Sequence, residues 1–184
     1  MGTKILSHWR RFLDDTRGST SVEFIICMPM LFWAFMAMYT FFDGYRQSAI
    51  NLKAAYTVGD ILSRETQAID DDFIDSMHDL YQFLTTSGSS TALRVTVIRW
   101  DEDDDRYYLD WSEARGGYQA LQNSDVLLLE DDLPVMPDQE RVILVETSNS
   151  WTPLFAGTGL SVTDLDNFVF TSPRFAPQLA FSND

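Results

Sequence analysis

Apolar and polar positions are segregated along this chain. Residues 24–42 read FIICMPMLFWAFMAMYTFF, 19 positions without a charge. At about 1.5 Å per residue, such a helix nearly spans the roughly 30 Å hydrocarbon core of a bilayer. A core helix in a small domain would keep a polar face, and this run has only Tyr39 and Thr40 for one. The pattern predicts a transmembrane helix, in which Pro29 is tolerated and marks a slight kink. Helical spacing then continues over 43–66, where Ile50, Ala54, Val58 and Ile61 recur opposite Lys53, Asp60 and Arg64. One long helix is expected, from about Val22 to about Glu65. The competing arrangement is two helices broken at Asp43 and Gly44, because glycine costs about 1 kcal/mol relative to alanine inside a helix.

Asp70, Asp71 and Asp72 open a second helix, with Phe73, Met77, Leu80, Tyr81 and Leu84 on one side. TTSGSS at 85–90 ends it. LRVTVIRW (93–100) and RYYLDW (106–111) alternate and predict a hairpin across the acidic stretch between them. RVILVETS (141–148) and NFVFTS (167–172) are further strand candidates. The VLLL run at 126–129, within 118–133, reads equally as a short strand or a helical turn. The expected fold class is α+β: a long N-terminal transmembrane helix continuing into a small extracytoplasmic domain with a second helix and an antiparallel sheet.

Charge orients the helix. Lys4, Arg10, Arg11 and Arg17 precede the apolar run, against Asp14 and Asp15, while Asp43 and then Arg46 follow it. The positive-inside bias keeps the short N-terminus in the cytoplasm and sends residues 43–184 across the membrane. That outer portion holds 25 of the 28 acidic residues and 9 of the 13 basic ones, a charge of −16. Phosphate neutralisation needs the opposite balance, so nucleic acid is not an expected partner. An anionic membrane surface is equally disfavoured for the outer portion, which should stand in solvent or meet a cationic partner. A cleavable secretory signal would be shorter and would end in a small-x-small site, which residues 41–44 do not offer.

Candidate chemistry is sparse. The lone Cys27 can form no intramolecular disulfide and reads as a small apolar packer inside the helix. His8 and His78 are too few for a usual zinc cage. H-E-x-x-H, G-x-S-x-G, Walker A and G-x-G-x-x-G motifs are all missing. The five acids at 101–105 suggest a calcium loop, but an EF-hand starting at Asp101 needs glycine where Arg106 stands and glutamate where Ser112 stands. A solvated hairpin tip is the preferred reading. Asp60 and Glu65 beside Arg64 read as helix-face salt bridges. The expectation is a non-enzyme with no cofactor and no metal site.

The most informative residues lie before the apolar run, where Arg17 to Phe24 read RGSTSVEF. A carboxylate at the mouth of a spanning helix is costly, about 2.5–3.5 kcal/mol at the bilayer centre and less near the interface. The plainer reading is that Glu23 complements the helix dipole while Ser19 or Thr20 caps. Taken together, the basic leader, Gly18, four short residues, Glu23, Phe24 and the apolar helix resemble the processing site of type IVb prepilins. That resemblance implies a membrane prepilin peptidase cutting between Gly18 and Ser19, which makes Glu23 the fifth mature residue. Glycine before the cut lets the backbone approach the protease closely. The Glu23 carboxylate would then pair with the new α-amine of a neighbouring subunit.

A second resemblance lies near the other end. VILVETSNSWTPLF at 142–155, followed by TSPRF at 171–175, is similar to the tail of TadE and TadF-type proteins, minor pseudopilins of the tight-adherence (Flp) pilus system. Ser172, Pro173 and Arg174 stand one arginine short of that family's terminal element, and the resemblance is weak over residues 67–140. The resemblance implies a leader at 1–18, an N-terminal helix at 19–66 and an α+β domain at 67–184. It also implies an inner-membrane pseudopilin whose partners are the prepilin peptidase, other pilins and pseudopilins, the assembly platform and membrane lipid. Two rivals remain: an uncleaved bitopic protein with an acidic extracytoplasmic binding domain, and a calcium-dependent adhesion module built on the 101–105 tip.

Overall fold

The computed structural model describes residues 19–85, 90–155 and 157–182. The expected leader at 1–18, Gly18 included, lies outside them. The first helix, α1, spans Ser19–Arg64 without a break at Asp43 or Gly44 and carries Pro29 in its interior. Two compact units divide the chain: α1 through Phe42 with the loop Leu154–Leu160, and Asp43–Pro153 with Ser161–Asp184.

In the second unit, α2 (Asp71–Thr85) precedes an antiparallel sheet of β1 (Thr91–Asp101), β2 (Arg106–Arg115), β3 (Arg141–Trp151), β4 (Thr163–Asp164) and β5 (Asn167–Thr171). The order is β2-β1-β3, and the far side of β3 is shared by β5 along residues 143–147 and by the short β4 at Ser150 and Trp151. Helix α2 starts where Asp70 accepts the Phe73 N–H at 2.9 Å, a side-chain cap on an otherwise unpaired donor. The β1–β2 pairing contains a bulge: Val97 faces Trp111 while Ile98 faces Leu109, leaving Asp110 unpaired. Beyond β2 the chain turns at Gly116, whose φ is +73° and whose missing Cβ would lie 2.2 Å from the Thr91 carbonyl oxygen. Only glycine fits there.

Strand alternation builds two apolar clusters. Leu93, Val95 and Val97 of β1 and Ile143 and Val145 of β3 point to one side and pack with the helices. On that side α1 contributes Ala54, Val58 and Leu62, and α2 contributes Ile74, Met77 and Tyr81. Each fully buried Val, Leu or Ile side chain contributes about 1.5–3 kcal/mol, so this cluster dominates the stability of the unit. On the other side Ile98, Val142 and Leu144 meet Tyr107, Val126 and Met136.

The structure refines three local expectations. The buried stripe of α1 runs through Ala54, Ala55, Val58 and Leu62, while Ile50 and Ile61 are half-buried. The VLLL run is helical: a short α3 (Asn123–Val126) leads into a 3-10 segment, Leu127–Asp132. On α2, Phe73, Leu80 and Leu84 pack against the core beside the buried Met77 and Tyr81, as the spacing predicts, and the fully buried Ile74 joins them.

Candidate functional site

Helix α1 begins at Ser19, and Glu23 and Phe24 follow about one turn later. Glu23 is exposed and, among the described residues, makes no hydrogen bond or ion pair. Phe24 is 61% exposed, and Ile25, Met30 and Leu31 are as open or more so. That exposure distinguishes this segment from the core helix of a soluble domain, whose apolar residues would be covered. By length and composition, α1 is a helix that could cross a membrane. Cys27 is exposed on it, so nothing among the described residues packs it as a buried small residue.

The same unit contains a contact that strand and helix periodicity could not reveal. The Trp33 indole N–H donates to the Gly157 carbonyl at 3.3 Å. Phe155 meets Tyr39 edge-on, with ring centroids 6.0 Å apart. Thr40 is fully buried and its hydroxyl returns to the Met36 carbonyl at 2.8 Å. Within the loop, the buried Thr158 donates its hydroxyl to the Phe155 carbonyl at 3.1 Å. Closer to the start of the helix, Met28, Pro29, Phe32, Trp33 and Met36 line an open apolar hollow of about 470 Å³.

In the second unit, Asp43 and Gly44 acquire a purpose. Trp151, the last residue of β3, donates its indole N–H to Asp43 Oδ2 at 3.0 Å. Its ring lies so close to Gly44 that an added Cβ would stand 3.3 Å from it. Glycine at 44 therefore gives up some helix propensity to admit an aromatic ring. A buried amide pair, Asn149 donating to Asn51 at 2.9 Å, adds a second link between β3 and α1.

Two carboxylates of the acidic tip, Asp101 and Asp104, are bonded to their own neighbours. Asp101 Oδ2 accepts from Gln139 at 3.1 Å and from Arg99 at 3.0 Å, and Oδ1 accepts the Asp104 N–H at 3.3 Å. The hydrogen bond from Gln139, then those from Asp104 and Arg99, hold the Asp101 carboxyl below the usual carboxylate range. Asp104 accepts the Tyr108 hydroxyl at 2.5 Å, and Tyr108 is raised by that bond. Among the described residues no three His, Cys, Asp or Glu side chains are placed to hold a metal ion. Asp60 pairs with Arg64 at 2.9 Å and with Arg174 at 3.4 Å, which accounts for it as a structural ion-pair residue. His78 contacts the Thr91 carbonyl and hydroxyl, at 3.2 and 3.1 Å, linking α2 to the start of β1.

No protein-family model, curated protein or solved structure matches this chain. The functional reading rests on the residues themselves. Of the sequence-derived site, Gly18 lies outside the described residues, and Ser19, Glu23 and Phe24 occupy the first turns of α1. Sequence reasoning carried Trp33 within the apolar run and Trp151, Leu154 and Phe155 within the 142–155 resemblance, but it missed their contacts, whose partners lie more than a hundred residues away in sequence.

Proposed function

We propose that this chain is a non-catalytic, single-pass pseudopilin of the TadE/TadF type, matured by a prepilin peptidase and taking part in assembly of a Flp-type adhesion pilus. In this reading the N-terminus is cytoplasmic, the helix lies in the bacterial inner membrane and the acidic α+β domain is periplasmic. The peptidase cuts between Gly18 and Ser19. Glu23 then faces the new α-amine of an adjacent pilin or pseudopilin, each charge offsetting the desolvation of the other.

The observation that carries the reading is the placement of one carboxylate, Glu23, in the second turn of an exposed helix that stays uncharged until Asp43. An unpaired carboxylate there is a cost unless a partner charge arrives, and a processed subunit brings one. The second half of α1 supports the reading too, since its Ala54, Val58 and Leu62 pack beneath the sheet.

Mass spectrometry of the membrane-extracted protein, made in a host with the cognate peptidase, tests it. The expected mature chain starts at Ser19, and Gly18→Leu blocks the shift. Glu23→Ala should leave cleavage intact while piliation falls. A mature chain that still carries residues 1–18 would overturn the proposal in favour of an uncleaved bitopic binding protein.

A further inference from the structure

We propose that the open cavity where β1, β3 and β4 meet binds a primary ammonium group, carried by a lysine side chain of a partner protein or by a small alkylamine. The inference depends on neither the membrane nor the pilus reading, because every residue in it belongs to the second unit.

The cavity follows from the polar end of β3. Thr147 and Asn149 are buried, and Asn149 bonds α1 through Asn51, so strand alternation turns the half-buried Ser148 and Ser150 to the opposite face of the sheet. There β4 sets Asp164 opposite Ser150. Gly117 and Tyr118, just past the turn at Gly116, form another wall, and Ser90 stands at the start of β1. The enclosed space is about 230 Å³. Sites for drug-sized ligands run to roughly 300–1,000 Å³, so this one suits a single side chain or a small amine.

Charge selects a cation. The basic side chain that touches the Tyr118 ring, Arg94, is already committed: two of its nitrogens donate to Glu146 at 2.6 Å each and the third donates to the Gln119 carbonyl at 3.0 Å. It neutralises Glu146 and leaves the Asp164 charge standing. Burial raises the Tyr118 phenol above its ordinary range, and the Asp166 carboxylate adds to that, so the wall presents a neutral hydroxyl in a negative field.

The shape of the carboxylate selects the kind of cation. Asp164 Oδ1 accepts the Ser150 hydroxyl at 2.5 Å, while Oδ2 accepts from none of the described residues. A guanidinium binds best through a two-pronged bond to both carboxylate oxygens, and one of them is taken. An ammonium is a point charge with three N–H donors. It needs one carboxylate oxygen and neighbouring hydroxyl acceptors, which Ser148, Ser150 and Tyr118 supply. A calcium ion would want six to eight oxygens with further carboxylates, and among the described residues no three His, Cys, Asp or Glu side chains gather to hold a metal.

Nuclear magnetic resonance of the isotope-labelled full chain in a non-ionic detergent provides the test. n-Butylammonium, n-butylguanidinium and n-butanol are titrated separately while the backbone amides of Ala92, Gly117, Tyr118 and Ser150 are followed. The expected result is saturable shifts at these positions with butylammonium, several-fold weaker binding of butylguanidinium and no shift with butanol. Asp164→Asn should weaken butylammonium by about tenfold or more, the loss expected when a charged hydrogen-bond partner is removed. Ser150→Ala frees the second carboxylate oxygen and should narrow the preference over butylguanidinium. Should Asp164→Asn fail to fold, judged from the amides of the β1–β3 core, the Ser150→Ala comparison decides.

Shifts that climb without saturating, or that are as large at Asp71 and Asp131 as at the cavity, would mean general attraction to an acidic surface and overturn the proposal. Unchanged binding in a folded Asp164→Asn, or equal affinity for butylguanidinium in the parent protein, would overturn it too. Nα-acetyl-lysine methylamide separates the two sources. Binding as tight as butylammonium supports a partner's lysine, and its exclusion supports a free alkylamine at the same site.

Discussion

Individual residues in this chain make sense mainly through one or two partners. Gly44 is a helix-weakening residue by propensity, yet it leaves room for the Trp151 ring, and Asp43 accepts the indole N–H beside it. Gly44→Leu should expel that ring and destabilise the outer unit by about 1–3 kcal/mol, the usual penalty for overpacking. Urea unfolding of the full chain in detergent, followed by tryptophan fluorescence, measures it. Unchanged stability with an unchanged emission maximum would show that the ring does not depend on this seat. Glu23 is the converse case: in this chain alone it has no partner among the described residues.

At the scale of elements, amphipathic period and strand alternation account for most of what forms. Helix α2 and the strands β1, β2, β3 and β5 lie where the apolar spacing puts them. The two-residue β4 carries no such spacing and exists because Ser150 and Trp151 lie within reach of it. The hairpin joining β1 to β2 supplies a pH prediction. Asp101, through its bonds to Gln139, Asp104 and Arg99, titrates below its ordinary value of about 3.9. A depressed carboxylate contributes stability that is present above its unfolded pKa and lost as pH falls through the folded one. The tip should therefore loosen only below about pH 4. Exchange of the Asp104 amide should accelerate there relative to the other hairpin amides, and Asp101→Asn should abolish that pH dependence. An Asp104 amide indifferent to acid in the parent protein would refute the assignment.

For the whole molecule, the governing quantity is a formal net charge of −15, made of −16 after Phe42 and +1 before it. Clusters such as Arg115 with Asp71 and Asp75, and Arg94 with Glu146, offset part of the repulsion locally. Burial opposes the charge on Arg115, but its hydrogen bonds to Asp75 and Asp71 outweigh that and raise its pKa. The remaining surface repels itself, and repulsion of this kind is screened once the Debye length shortens from about 30 Å at 0.01 M salt to about 8 Å at 0.15 M. The melting temperature of the full chain in a non-ionic detergent should rise over that range. A falling value would mean that specific ion pairs outweigh the net field.

The linear order of residues determined where the apolar helix lies, how far it continues, and which segments are strands, because each depends on periodicity along a single element. It also marked Gly18, Ser19, Glu23 and Phe24, since a basic stretch and a lone carboxylate before an uncharged run are patterns of sequence alone. Tertiary structure decided which stripe of α1 is buried, that Gly44 accommodates Trp151, and that the 154–160 loop lies on the helix at Trp33 and Tyr39. Those outcomes turn on pairs of residues about a hundred or more positions apart, and no local period encodes which distant side chain will fill a gap or satisfy a carbonyl.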